Sequence, residues 1–177
     1  MIDIQKEIEK KFPNMEKKEN FLKKSLFKIA KKIVHEDSIN QFLAQNSHLK
    51  GFEFVDAVLD YFDFDYAVSS NDLQNIPTSG KVVIIANHPL GGLDALCLLR
   101  LIGQIRKDVK IVANDFLAGF DALNSLIITI DNYKLKQSKS DIKKIYEALN
   151  NEEALIIFPA GEVSRATPKG IKDQIGR

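Results

Sequence analysis

The sequence predicts an α/β fold: a mostly parallel sheet flanked by helices, preceded by an N-terminal helical segment. Two observations predict the sheet. Short runs of β-branched and aliphatic residues, each ending in a polar turn, recur from residue 81 onward. Between them lie stretches with apolar residues at helical spacing. A third observation sets the helical segment in front: before residue 62 the apolar periodicity is helical. Residues 1–62 are therefore expected to form a helical segment and residues 63–177 the α/β domain.

The elements follow in order. Residues 1–20 are charged and broken by Pro13, as in a short helix or an arm. From Asn20 the pattern sharpens. Leu22, Leu26, Ile29, Ala30 and Ile33 recur on one side, with Lys24, Lys28, Lys31 and Lys32 opposite. A second helix is expected over 39–46, capped by Asp37 or Ser38, and a third over 52–62 after Gly51. "DFDYAVSS" (63–70) reads as a strand, and the Asn, Pro and Gly of 71–80 read as a loop. "KVVIIAN" (81–87) is a buried strand by composition, and "LDALCLLRLIGQI" (93–105) is helical. "DVKIVAN" (108–114) is a second strand, 115–125 a short helix or loop, and "LIITID" (126–131) a third strand. "SKSDIKKIYEALN" (138–150) is an amphipathic helix with Ser138, Ser140 or Asp141 at its cap. "EALIIFPAG" (153–161) is another buried strand, entering a Pro-Gly turn.

Composition narrows the function classes. With 177 residues, 45% hydrophobic and 28% charged, the chain is long enough to bury a real core. The net charge is +1, but residues 1–36 hold ten Lys against six Asp and Glu, so the basic excess sits at the front. One cysteine, Cys97, excludes an intrachain disulfide and a cysteine-rich zinc cluster. No secretory signal is expected, because the first residues contain no apolar core. A membrane span is not expected: His88, Pro89, Asp94 and Arg100 interrupt the long apolar stretch at 82–103. The lysines gather in one helix without aromatic interleaving or zinc spacing, which argues against nucleic-acid binding.

Two turns carry the candidate chemistry. The first is "NHPLGGLD", Asn87 to Asp94, just past the carboxyl end of a strand, where open α/β sheets bind ligands. Asp94 falls in the first turn of the next helix, where the dipole favours a carboxylate. Gly91 and Gly92 let the connection fold tightly enough to bring Asp94 back to His88. A carboxylate bonded to one imidazole nitrogen fixes the tautomer and leaves the other nitrogen free to take a proton. The second turn is "FPAGEVSR", which follows another strand and adds Gly161, Glu162, Ser164 and Arg165. If both turns open on one sheet edge, these residues share a site, and Arg165 is suited to an anionic headgroup.

Together the two turns resemble the PlsC-type glycerolipid and lysophospholipid acyltransferases. That family's first block is Asn-His, four residues, Asp, and its third is Phe-Pro-Glu-Gly-Thr-Arg-Ser. Here they stand in the right order, about seventy residues apart, over a resemblance covering roughly 64–177. "LIITIDNYK" sits at the place of the second block. The spacing from His88 to Asp94 is five residues rather than four, as in the hemolysin-like and aminolipid O-acyltransferase branch. Ala160 replaces the third block's glutamate, Val163 its arginine, and Asn132 the arginine of the second block. The usual phosphate-binding arginines are thus absent or moved, which turns the expectation from a phosphorylated acceptor toward a lyso-aminolipid.

The resemblance implies acyl transfer from an acyl carrier protein or coenzyme A thioester to the hydroxyl of a lysolipid. In that scheme His88 is the base, Asp94 orients it, and Asn87 supports the turn. N–H groups around Gly91 and Gly92 would stabilise the oxyanion. No metal or bound cofactor is implied. The family's fourth block does not follow by Arg177, so the domain is expected to be incomplete. A cytoplasmic, peripheral position on the inner face of the membrane is expected, with the helix around 20–35 set on anionic lipid. Rival expectations are a lipid ester hydrolase and an inactive membrane-surface relative. No Gly-x-Ser-x-Gly elbow supports a serine esterase.

Overall fold

A computed structural model describes residues 35–113, 119–130, 139–159, 165–167 and 170–172. The lysine-faced helix expected around 20–35 falls, apart from His35, outside the described residues. The chain divides after His48 into two compact units.

In the first unit, α1 spans Glu36–Gln45. It begins earlier than the expected Asp37 or Ser38 cap. His35 precedes it with φ 55°, and no side chain caps its first turn. Glu36 and Asp37 occupy that turn instead, where their charges complement the helix dipole.

The second unit holds, in order, α2 (Gly51–Tyr61), α3 (Ser70–Gln74), β1 (Val82–Ile85), α4 (Gly92–Ile105) and β2 (Val109–Ala113). A 3-10 turn (Asp121–Leu123), β3 (Ile127–Thr129), α5 (Lys139–Asn150) and β4 (Ala154–Ile157) follow. Last comes a hairpin of β5 (Arg165–Thr167) and β6 (Gly170–Lys172).

Four strands form one parallel sheet in the order β1-β4-β2-β3, as the alternating pattern predicts. The strand of 153–161 is the central, buried one: Ala154, Leu155 and Ile156 are all buried. The strand of 81–87, expected to be buried, is instead at the sheet edge among the described residues. Its faces alternate, with Val83 43% and Ile85 67% exposed. Leu155 packs with Ile128 and Ala148 beneath α5. Val109, Ile111, Ala154 and Ile156 are buried to 1% exposure or less.

"DFDYAVSS" forms no strand. Asp63 takes φ 47° just past α2, and its N–H donates to Asp60 O at 3.1 Å while Phe64 N–H donates to Leu59 O at 2.9 Å. That pair of bonds is a Schellman close, which turns the chain off the helix. Ser69 then caps α3, its Oγ accepting from Asp72 N at 3.1 Å. The residues between are a connector with no ladder partner among the described residues.

Two contacts lock the frame. Arg106, 4% exposed, holds Asp108 bidentately at 2.7 Å through Nε and Nη2. It also donates to Pro77 O at 3.2 Å and Glu152 O at 2.8 Å. One guanidinium thus ties together the chain entering β1, β2 and β4, at their amino ends. On the other contact, α2 lies along α4, with Arg100 Nε on Asp56 at 3.0 Å and Phe52 against Gly103.

Candidate active site

β1 and β4 run side by side with Ile85 opposite Ile157. The ladder continues one rung further, where Ala86 N–H donates to Ile157 O at 3.2 Å. Both candidate turns therefore leave the same end of the sheet from adjacent strands. Two residues past that rung His88 meets Phe158: the rings stack at 4.5 Å between centroids and 11° between planes. Sequence reasoning missed Phe158. Its signal was its place in the second turn, one residue past a strand, but a contact across parallel strands depends on register.

His88 opens a tight turn. Gly91 N–H donates to His88 O at 3.0 Å, closing the four residues 88–91. Gly91 takes φ 73° and ψ −117°, a conformation that side-chain-bearing residues avoid, and α4 begins at Gly92. Asp94, in the first turn of α4, accepts Leu90 N–H on Oδ2 at 2.6 Å. The carboxylate thus braces the turn around His88, a function the spacing did not reveal.

The expected bond from Asp94 to the imidazole is not formed at Nδ1. That nitrogen is buried and has no hydrogen-bond partner among the described residues. Asp94 acts on the ring through its charge instead. Burial pushes the His88 pKa below the ordinary histidine value, and the negative charge of Asp94 opposes this as the smaller effect. The imidazole is therefore mostly uncharged at neutral pH. With Nδ1 closed off, Nε2 is the ring nitrogen left to exchange a proton.

The glycines separate in role. The Gly91 N–H, expected as an oxyanion donor, is already committed to His88 O. The amides of Gly92 and Leu93 stand at the start of α4, where helix N–H groups have no intrahelical acceptor. Asn87 lies between β1 and His88. Gly161, Glu162 and Ser164 lie outside the described residues. Arg165 opens β5, and the hairpin register sets it opposite Lys172.

Cys97 lies one turn along α4. Burial, then the charge of Asp94, pushes its thiol pKa up, so it stays protonated and is no nucleophile at neutral pH. Among the described residues no group of three or more His, Cys, Asp or Glu is placed to hold a metal ion. Nor is any described helix long and apolar enough to cross a membrane.

A family model described as Acyltransferase matches residues 8–175. A lyso-glycine lipid O-acyltransferase of Bacteroides thetaiotaomicron is 32% identical over 174 residues, 98% of this chain and 62% of that protein. A protein of the same name from Phocaeicola vulgatus is 32% identical over 175 residues, 98% of this chain and 60% of that one. The chain thus spans about three fifths of the length of these curated relatives. No solved structure matches it.

Proposed function

Because the chain belongs to the acyltransferase family, we propose that it moves a fatty acyl group from a thioester to the hydroxyl of a lysolipid. We infer that the acceptor is a lyso-aminolipid of the glycine type, the substrate class in the names of both relatives. The observation that carries this reading is the convergence of the two motif turns at His88 and Phe158.

The reaction follows from the groups present. Nε2 of His88 removes the proton of the acceptor hydroxyl as its oxygen attacks the thioester carbonyl carbon. The carbonyl oxygen becomes an oxyanion, which the amides of Gly92 and Leu93 at the start of α4 are suited to receive. Each such donor is worth roughly 2.7–4 kcal/mol in the transition state. The intermediate collapses, the C–S bond breaks, and the departing thiolate takes the proton from the imidazolium. The products are an ester and a free thiol.

Asp94 stabilises that imidazolium electrostatically. A neutral imidazole with Nε2 free carries its proton on Nδ1, and leaving a buried donor unpaired costs about 1–3 kcal/mol.

The anionic end of the acceptor is assigned to the hairpin. Arg165 opens β5, and a guanidinium is suited to pair a carboxylate bidentately. A glycine carboxylate supplies that anion without the phosphate for which the family's missing arginines are suited. The donor is an acyl carrier protein or coenzyme A thioester. We assign contact with anionic lipid, on the inner membrane face, to residues 20–35.

The test is transfer from both thioesters to lyso-glycine lipid, lyso-ornithine lipid and lysophosphatidate, with products identified by mass spectrometry. Lyso-glycine lipid should be acylated, and His88→Ala should abolish the product. Full activity in His88→Ala, or no transfer from either donor, refutes the proposal. Replacing Lys24, Lys28 and Lys31 with glutamate should weaken binding to anionic vesicles; unchanged binding removes the anchoring role.

A further inference from the structure

We propose that Phe158 is a positioning residue for His88, the wall that fixes the plane of the base at the end of β1. The proposal rests on the acyl-transfer reading above.

An imidazole in a loop has two free side-chain torsions, and hydrogen bonds usually fix them. Among the described residues His88 has no such bond at Nδ1. What restrains it is the parallel stack on Phe158, with centroids 4.5 Å apart and planes within 11°. Both rings hang from one backbone rung, Ala86 N–H to Ile157 O, so the stack inherits the rigidity of the sheet. The phenyl face closes one side of the imidazole. A hydroxyl must then approach in the plane of the ring, along the Nε2 lone pair, which is the direction proton transfer requires. Phe158 touches neither substrate nor reacting atoms in this account; it acts through His88.

Two measurements test it. A proton stacked over a phenyl face resonates upfield. The chain has three histidines, and His35 and His48 are exposed references. In the wild-type protein the His88 ring signal, identified by its loss in His88→Ala, should lie upfield of the other two. It should move back in Phe158→Leu. In acyl-transfer kinetics Phe158→Leu should lower kcat about 10- to 100-fold, with KM for the thioester within about twofold. Phe158→Tyr should restore both the shift and kcat.

An unshifted His88 signal in the wild-type protein overturns the proposal even if Phe158→Leu fails to fold. A Leu variant that keeps full kcat overturns the positioning role alone and leaves acyl transfer standing. An upfield signal on a protein that transfers no acyl group refutes the acyl-transfer reading while the stack remains.

Discussion

The carboxylate of Asp94 accepts the backbone N–H of Leu90 at 2.6 Å, reaching back four residues across the turn that begins at His88. One side chain thereby shapes the loop and charges the site. The two duties are separable, because asparagine keeps an acceptor oxygen and loses the charge.

Asp94→Asn should therefore fold normally yet lower kcat about 10²- to 10⁴-fold, through lost stabilisation of the imidazolium. The pH profile carries a second signature. Burial lowers the His88 pKa and Asp94 opposes it, so removing the charge lowers the pKa further. The acid limb of kcat/KM should move to lower pH as the plateau falls. A limb that stays in place shows that Asp94 does not act on His88.

Gly91→Ala places a side chain on a backbone at φ 73°. Stability should fall by roughly 1–3 kcal/mol in urea titrations. Activity should fall beyond what unfolding explains, because the first amides of α4 shift with the turn. An active, equally stable alanine variant argues that the turn is not needed in this form.

Arg106→Met removes a buried guanidinium that holds one carboxylate and two carbonyls. Pro77 O and Glu152 O lose their donor, while Asp108, about half exposed, stays solvated. The expected loss is about 2–3 kcal/mol, with kcat of the folded fraction unchanged at the far end of the sheet. The hydrogen bond from Arg106 holds the Asp108 carboxyl below its usual pKa. Its contribution is complete above the ordinary aspartate range and is lost as pH falls through the lowered value. Wild-type stability should therefore decline in acid more steeply than that of Asp108→Asn.

Gly103→Ala builds a methyl 2.3 Å from Cε1 of Phe52. The ring must move, which costs about 1–3 kcal/mol against the ~1 kcal/mol that alanine contributes over glycine in a helix. A net loss near 1 kcal/mol is expected in thermal melts. Adding Phe52→Leu should recover most of it; no recovery means another contact opposes the methyl.

The order of strands and helices was legible because β-branched runs and helical periodicity are local signals. That the turns after β1 and β4 leave the same edge of the sheet was legible too, through parallel connectivity. "DFDYAVSS" misled because aromatic and β-branched content favours a strand only where a ladder partner exists. Here the Schellman close at Asp63 and the Ser69 cap use the segment as a connector. Edge position is equally non-local: "KVVIIAN" reads like "EALIIFPAG", yet among the described residues one is the rim and the other lies inside the sheet. The Leu90 bond of Asp94 and the His88–Phe158 stack depend on turn shape and register, which residue types alone do not encode.

Side chains alternate along a strand, so the Ile85–Ile157 register has an evolutionary corollary. A single insertion or deletion within β4 would exchange the residue presented to the imidazole and turn the strand's packing inside out. Length changes between the two blocks must therefore collect in the loops, and among divergent homologues the distance from the β4 core to the phenylalanine should stay constant while the turn after the histidine lengthens or shortens.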